Sequence, residues 1–216
     1  MGDLSLVSII IIGINILVSI KGFNDYSFFD KYKFNTAAIK RGEKIRIFSS
    51  GFLHADVSHL LFNMLTLYFF AEVVIHSLGS IGFLAVYIAS LLLGNFLSFF
   101  FHKDDPSYNA VGASGAVSGI IYAAILLYPE MDLFLFFIPI PIPAYVFGIG
   151  YMLYSIYGMK RQLGNIGHDA HFGGAVGGYV LTILLVPWIL IENLLMVILL
   201  AIPIVILFVL QKMGKI

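Results

Sequence analysis

The chain is predicted to be an all-α polytopic membrane protein with seven spans. Three observations carry this prediction. First, its 216 residues are 60% hydrophobic and 11% charged, with a mean hydropathy of +0.99. Soluble domains carry about a quarter charged residues. Second, the apolar runs reach the roughly 20 residues that a helix needs to cross a bilayer. Third, all 12 Lys and Arg fall on one side of a seven-span layout. The zero net charge gives no reason to expect nucleic acid. The absence of cysteine excludes disulfides, a thiol nucleophile and cysteine-type zinc sites.

The spans are placed at 4–20, 57–78, 81–101, 110–128, 143–159, 169–188 and 193–210. No Lys or Arg precedes the first and no small-residue cleavage site follows it, so it reads as a retained helix rather than a signal peptide. The long first loop, 21–56, mixes charges with aromatics in "YSFFDKYKF" and "EKIRIFSSGF". That composition suits the membrane–water interface, and partly embedded structure is expected there. The alternative is a flexible loop with scattered aromatics. Pro139, Pro141 and Pro143 alternate in "FFIPIPIPAYVF", which no helix interior accommodates. Span five therefore starts near Pro143 and is short. Glu192 and Asn193 break a C-terminal apolar stretch that is too long for one span.

Seven of the basic residues lie in the first loop; the others are Lys103, Lys160, Arg161, Lys212 and Lys215. Spans two, four and six all begin on this charged side.

Polar and ionisable groups at membrane depth are functional suspects by default. The first group is Gly112-Ala113-Ser114-Gly115, which opens span four. Helix N-termini offer unpaired N–H groups and the positive end of the dipole, which favour a developing oxyanion. The alternative is packing, since Gly115 and Gly119 form a small-xxx-small face. The second group is His171, a possible base for a serine. Gly174 and Gly178 lie on its helical face and would let span six approach span four. The alternatives are an interfacial hydrogen bond, or a metal site with His168 and Asp169. The third group is His59 and Asn63, one turn apart on span two. Both carry hydrogen-bond donors that could complete an oxyanion hole, or simply bond between helices.

His59, Ser114 and His171 each stand within a few residues of a span start on the charged side. They share one layer near one membrane face, which favours a site over three packing coincidences. Asp169 would face away from His171 on a helix, so a Ser–His dyad is expected rather than a triad.

Three motifs in order, H-x-x-x-N at His59 and Asn63, G-x-S-G at Gly112–Gly115, and A-H-x-x-G-x-x-x-G at Ala170–Gly178, resemble the rhomboid family of intramembrane serine proteases. The resemblance runs from about Glu43 to Gly178. It implies a rhomboid-like six-helix catalytic core over 1–190, with an extra C-terminal transmembrane helix and short tail at 191–216. It implies Ser114 and His171 as the catalytic dyad, and an oxyanion hole from His59, Asn63 and the Ser114 N–H. His54 matches a family histidine that helps order the first loop, and Gly112, Gly115, Gly174 and Gly178 are supporting positions. The implied activity is cleavage of transmembrane segments of other membrane proteins, within the lipid bilayer and without a cofactor or metal. The expected setting is a prokaryotic cell membrane. The main rival is a catalytically inactive rhomboid-like factor that binds membrane proteins. A transporter should show inverted repeats, and a metalloprotease an H-E-x-x-H helix; the sequence contains neither.

The chain departs from the family pattern twice. Ile45 and Arg46 stand where a Trp-Arg pair is common, which bears on how the loop is anchored. Ser118 stands four residues after the nucleophile, where an aromatic often packs on the histidine. His171 is then expected to be held differently, or less firmly. The family places the N-terminus in the cytoplasm and the site towards the outside, whereas the positive-inside rule reverses this. The family arrangement is adopted, because folding of the first loop masks its charges. A tag on the N-terminus is therefore expected to resist protease added outside intact cells. Its digestion would reverse the assignment.

Overall fold

The computed structural model describes residues 4–134, 140–161 and 166–215. The chain is built from helices. α1 (Leu6–Asn24) is followed by a structured first loop made of α2 (Tyr26–Tyr32), β1 (Phe34–Asn35), α3 (Thr36–Lys40), α4 (Arg46–Ser49) and a 3-10 turn at Ser50–Phe52. Next come α5 (Val57–His102), β2 (Asn109–Ala110) and α6 (Ser114–Leu127). A short hairpin of β3 (Asp132–Leu133) and β4 (Ile142–Pro143) leads into α7 (Ala144–Arg161). α8 (His168–Leu185), α9 (Ile189–Glu192) and α10 (Leu194–Lys212) complete the chain.

α5 contains both the second and third expected spans. It reverses at Gly79, whose φ of 68° lies in the left-handed region that glycine occupies without penalty. The two arms, 57–78 and 80–102, match the expected pair. With α1, α6, α7, α8 and α10 they supply the seven spans of an all-α polytopic protein, six in a core and one after it. Among the described residues, three helices, α1, α5 and α10, are long and apolar enough by themselves to cross a membrane.

Span four differs from expectation. It begins at Ser114 rather than 110, because Asn109 and Ala110 pair with Asn35 and Phe34 of the first loop. The resulting helix has 14 residues. At 1.5 Å per residue it is about 21 Å long, shorter than the roughly 30 Å hydrocarbon core. It tolerates this because Gly115 to Leu126 are all buried among the other helices. At span five, Pro143 immediately precedes α7 as the sequence suggests; Pro139 lies outside the described residues.

The first loop is folded rather than flexible. Arg46 is its anchor, only 8% exposed. Its guanidinium donates to the carbonyls of Asp30 (2.6 Å) and Lys33 (3.0 Å) and pairs with Glu43 at 2.7 Å. Ile45, at the position where a Trp is common, is exposed. Arg46 therefore holds the loop without an aromatic neighbour.

α5, α6 and α8 pack with their backbones in contact. A Cβ at Gly174 would fall on the carbonyl oxygen of Gly115, and one at Gly178 on that of Gly119. On α5, a Cβ at Gly94 would stand 2.6 Å from the Ala170 carbonyl oxygen. Gly178→Ala must separate the helices, so it should lower stability in detergent by about 1–3 kcal/mol. Gly13→Ala, in open space on α1, should change it by less than about 1 kcal/mol. Thermal unfolding of both variants checks this, and equal effects would refute the seam.

Candidate active site

The loop before α6 turns at Gly112, whose φ is 131°. Its N–H donates to the Ser50 carbonyl at 3.0 Å, which fastens the turn to the first loop. A side chain at 112 would stand 2.8 Å from His59 Nε2 and 3.5 Å from Ser114 Oγ. The His59 ring and the serine hydroxyl therefore border one spot that only glycine leaves open.

Ala113 occupies the N-cap of α6, with no side-chain cap bond. A polar cap would normally consume one of the first-turn N–H groups and add about 1 kcal/mol. Here the N–H groups around Ser114 keep the donors and dipole that favour an oxyanion.

His54 links three elements. The Ala113 N–H reaches its Nε2 at 3.4 Å, so Nε2 is the acceptor. Nδ1 then carries the proton and donates to Ser19 Oγ at 2.8 Å. Ser19 in turn donates to the Phe52 carbonyl at 3.1 Å. This chain ties α1, the first loop and the N-cap of α6 together. His54 is fully buried. Burial, aided by the nearby His59, lowers its pKa from 6.5 to about 3, which agrees with a neutral ring. The His54 and His59 rings meet edge to face at 5.0 Å.

On the first arm of α5, Asp56 caps the helix by accepting the His59 N–H at 2.8 Å. Hydrogen bonds from Ser58 and from that N–H hold its carboxyl below the usual range. Asn63 donates one amide N–H to the His59 carbonyl at 3.1 Å. An amide carries two such protons, and Asn63 lines the central cavity.

That cavity has a volume of ≈ 780 Å³ and lies between the first arm of α5, α6, α7 and the β3–β4 hairpin. Asn63, Ser114 and His171 share its wall. Among the described hydrogen bonds none joins Ser114 Oγ to the His171 ring. Catalytic bonds are often long until substrate tightens them. His59 contributes through the Gly112 turn rather than through the cavity wall.

Asp169 faces away from His171, as helical spacing suggests; its Oδ2 lies 3.4 Å from His102 Nε2. The His102 ring stacks on Tyr108 at 3.7 Å. This clasp fixes the start of α8 to the loop that leads to Ser114. Buried His168 packs edge to face on His171 at 6.4 Å.

The sequence reading missed Tyr151. From α7 its ring stacks on His171, with centroids 6.0 Å apart and planes 20° apart. Its hydroxyl lies 2.8 Å from Ser118 Oγ. The aromatic absent at position 118 is thus supplied across the helix interface. Nothing in the local spacing of α7 marks Tyr151 among the neighbouring tyrosines 145, 154 and 157.

Fold and site define a multi-pass helical membrane protein with Asn63, Ser114 and His171 on the wall of one cavity. The model of the Rhomboid domain matches residues 41–188. The chain belongs to the rhomboid family. It is 30% identical over 182 residues to RHOMBOID-like protein 12, mitochondrial, of Arabidopsis thaliana, covering 77% of this chain and 54% of the relative. It is 31% identical over 141 residues to Rhomboid protein 1, mitochondrial, of Saccharomyces cerevisiae, covering 62% and 40%. It is 32% identical over 143 residues to Rhomboid protease GluP of Bacillus subtilis, covering 65% and 26%. The chain thus matches about half or less of each relative's length.

The neutral His54 makes stability pH-dependent. Its folded pKa lies below the unfolded value, so protonation favours unfolding. The contribution is intact above pH 6.5 and is lost as pH falls towards about 3. In denaturation series across this window, His54→Gln should lose stability less steeply than wild type. Parallel curves would count against a buried neutral His54.

Proposed function

We propose that the protein is an intramembrane serine endopeptidase that hydrolyses peptide bonds in or near transmembrane segments of other membrane proteins. The observation that carries this reading is the shared cavity wall of Asn63, Ser114 and His171, with Ser114 at the N-terminus of a helix that has no side-chain cap. The family and the likeness to a protease of Bacillus subtilis support it.

In this mechanism His171 accepts the proton of Ser114 as Oγ attacks the scissile carbonyl. The carbonyl π electrons move to oxygen. That oxyanion is held by the Ser114 N–H, the Asn63 amide and His59. On collapse of the tetrahedral intermediate the C–N bond breaks, and His171 protonates the departing amine. Water then attacks the acyl-enzyme, with His171 as base, to release the acid and restore Ser114.

A substrate helix has its backbone groups internally bonded and must unwind before attack. Substrates with Gly or Pro near the cut are therefore favoured. The cavity lies between the first arm of α5 and α7, so α7 is proposed as the lateral gate through which such a segment enters. The proposed membrane is that of a prokaryotic cell, as for the Bacillus subtilis relative; the mitochondrial relatives represent the other setting. The rival reading is a binding factor with a silent dyad.

Fluorophosphonate labelling of the detergent-purified protein separates the two. Wild type should label, and Ser114→Ala and His171→Ala should not. Asn63→Ala should lower cleavage of a reporter span containing a Gly-Pro break by roughly 100-fold. Equal labelling of wild type and Ser114→Ala would refute the nucleophile. Crosslinking α7 to the first arm of α5 should abolish cleavage of the reporter, and full activity after crosslinking would remove α7 as the gate.

A further inference from the structure

We propose that Tyr151 is the positioning residue for His171, and that Ser118 and Tyr122 latch it in place, so the dyad is set only when α7 is seated on α6. The inference rests on the dyad reading above and adds to it the residue that holds the base.

The contacts form a short connected path. The Ser118 hydroxyl lies 2.8 Å from the carbonyl of Ser114 and 2.8 Å from the Tyr151 hydroxyl. A hydroxyl donates one proton and accepts others. Ser118 therefore donates to the Ser114 carbonyl and accepts from Tyr151, which fixes the direction of the bond. The Tyr151 ring is then presented to His171 in an offset stack, within the range of favourable aromatic pairs. One turn further along α6, the Tyr122 hydroxyl donates to the carbonyl of Gly148 on α7. Gly148 allows the approach: a Cβ there would stand 2.9 Å from Ile125. Two hydroxyl contacts thus clip α7 to the helix that carries the nucleophile.

His171 is otherwise steered weakly. Asp169 faces His102 and not the base. His168 touches the ring only edge to face. The Tyr151 face is the broad surface against which the imidazole rests. Since Tyr151 also lines the cavity, displacement of α7 removes one wall and the support of the base together. Entry and chemistry are then separate steps: α7 yields to admit a segment and must reseat before Ser114 attacks.

The test uses full-length protein in detergent, fluorophosphonate as the probe of Ser114, and diethyl pyrocarbonate as the probe of His171, read by mass spectrometry. Tyr151→Ala should lower the maximal labelling rate roughly tenfold, with half-saturating probe concentration within about twofold of wild type. It should also speed carbethoxylation of His171. Tyr151→Phe keeps the ring and loses the latch, so labelling should slow by about threefold. Ser118→Ala should do the same, and the double variant should lose no more than either alone. Adding Ser118→Phe to Tyr151→Ala returns a ring from α6 and should restore the rate. Labelling unchanged in Tyr151→Ala, a loss confined to half-saturation, or additive losses in the double variant would overturn the proposal. If Ser114→Ala labels as fast as wild type, the dyad reading is at fault. The carbethoxylation rates then decide alone: faster in Tyr151→Ala upholds the stack, and unchanged overturns it.

Discussion

The structure depends on a backbone contact between two helices. Gly174 and Gly178 of α8 lie against the carbonyls of Gly115 and Gly119 on α6. Lipid tails are as apolar as leucine, so burying apolar side chains gives membrane helices little reason to associate. Close van der Waals packing of small residues provides one. The same seam continues onto α5, where a Cβ at Gly173 would meet the Leu93 carbonyl oxygen at 2.8 Å, and one at Gly177 the Ser90 Cα at 2.9 Å. Three helices with small-residue faces therefore fix one another's position and rotation. Ser114 precedes Gly115 by one residue, and His171 precedes Gly174 by one turn. Their shared cavity follows from the seam, not from any direct bond between them.

Around that seam, buried polar groups are spent on joining elements far apart in the chain. Glu72 on α5 accepts from the Ser5 N–H (2.9 Å) and the Ser8 hydroxyl (2.6 Å), which seats α1. Asn15 donates to the Tyr87 hydroxyl at 3.1 Å. His54 joins α1 and the first loop to the N-cap of α6. Unpaired polar groups are costly at membrane depth, so these pairs specify the arrangement as well as stabilise it. Among the described residues, Ser90 Oγ and Thr182 Oγ1 are buried without a hydrogen-bond partner, and the cavity wall differs from them in being open. There Ser114, Asn63 and the first turn of α6 leave donors facing open space.

Hydropathy, with the prolines before span five and the polar pair Glu192 and Asn193, was enough to locate the spans, because an apolar run of bilayer length has few alternatives. The Gly79 reversal and the short α9 before Asn193 fell close to the expected breaks for the same reason. Helix starts were less legible. Asn109 and Ala110 carry no sign that they would pair with β1, since a two-residue bridge depends on partners as distant in sequence as Asn35 and Phe34. The shortness of α6, and with it its start at Ser114, was hidden for that reason. The layer shared by His59, Ser114 and His171 could be read from span parity. Asn63 and Ser114 then appear in the cavity wall with His171, whereas His59 does not. Tyr151 could not be read at all, because its role depends on which face of α7 meets α8. The substitution at Ser118 was visible, but not its compensation.

That compensation changes what α7 must do. An aromatic support on α6 would travel with the nucleophile and leave the outer helix free to move without disturbing the base. Here the support sits on α7, the helix opposite the first arm of α5 across the cavity. Tyr154 and Gly158 of the same helix also meet α8: Tyr154 packs edge to face on His168 at 5.2 Å, and Gly158 lies under that ring. The face of α7 from 151 to 158 is thus shaped to the histidines of α8. Each contact is modest, since aromatic pairs contribute about 0.5–1.5 kcal/mol beyond their burial. Together with the two hydroxyl bonds to α6 they hold α7 in its seat. In the proposed mechanism, a wall that moves by leaving this seat, and carries the Tyr151 ring with it, would leave Ser114 unassisted whenever the cavity stands open to lipid.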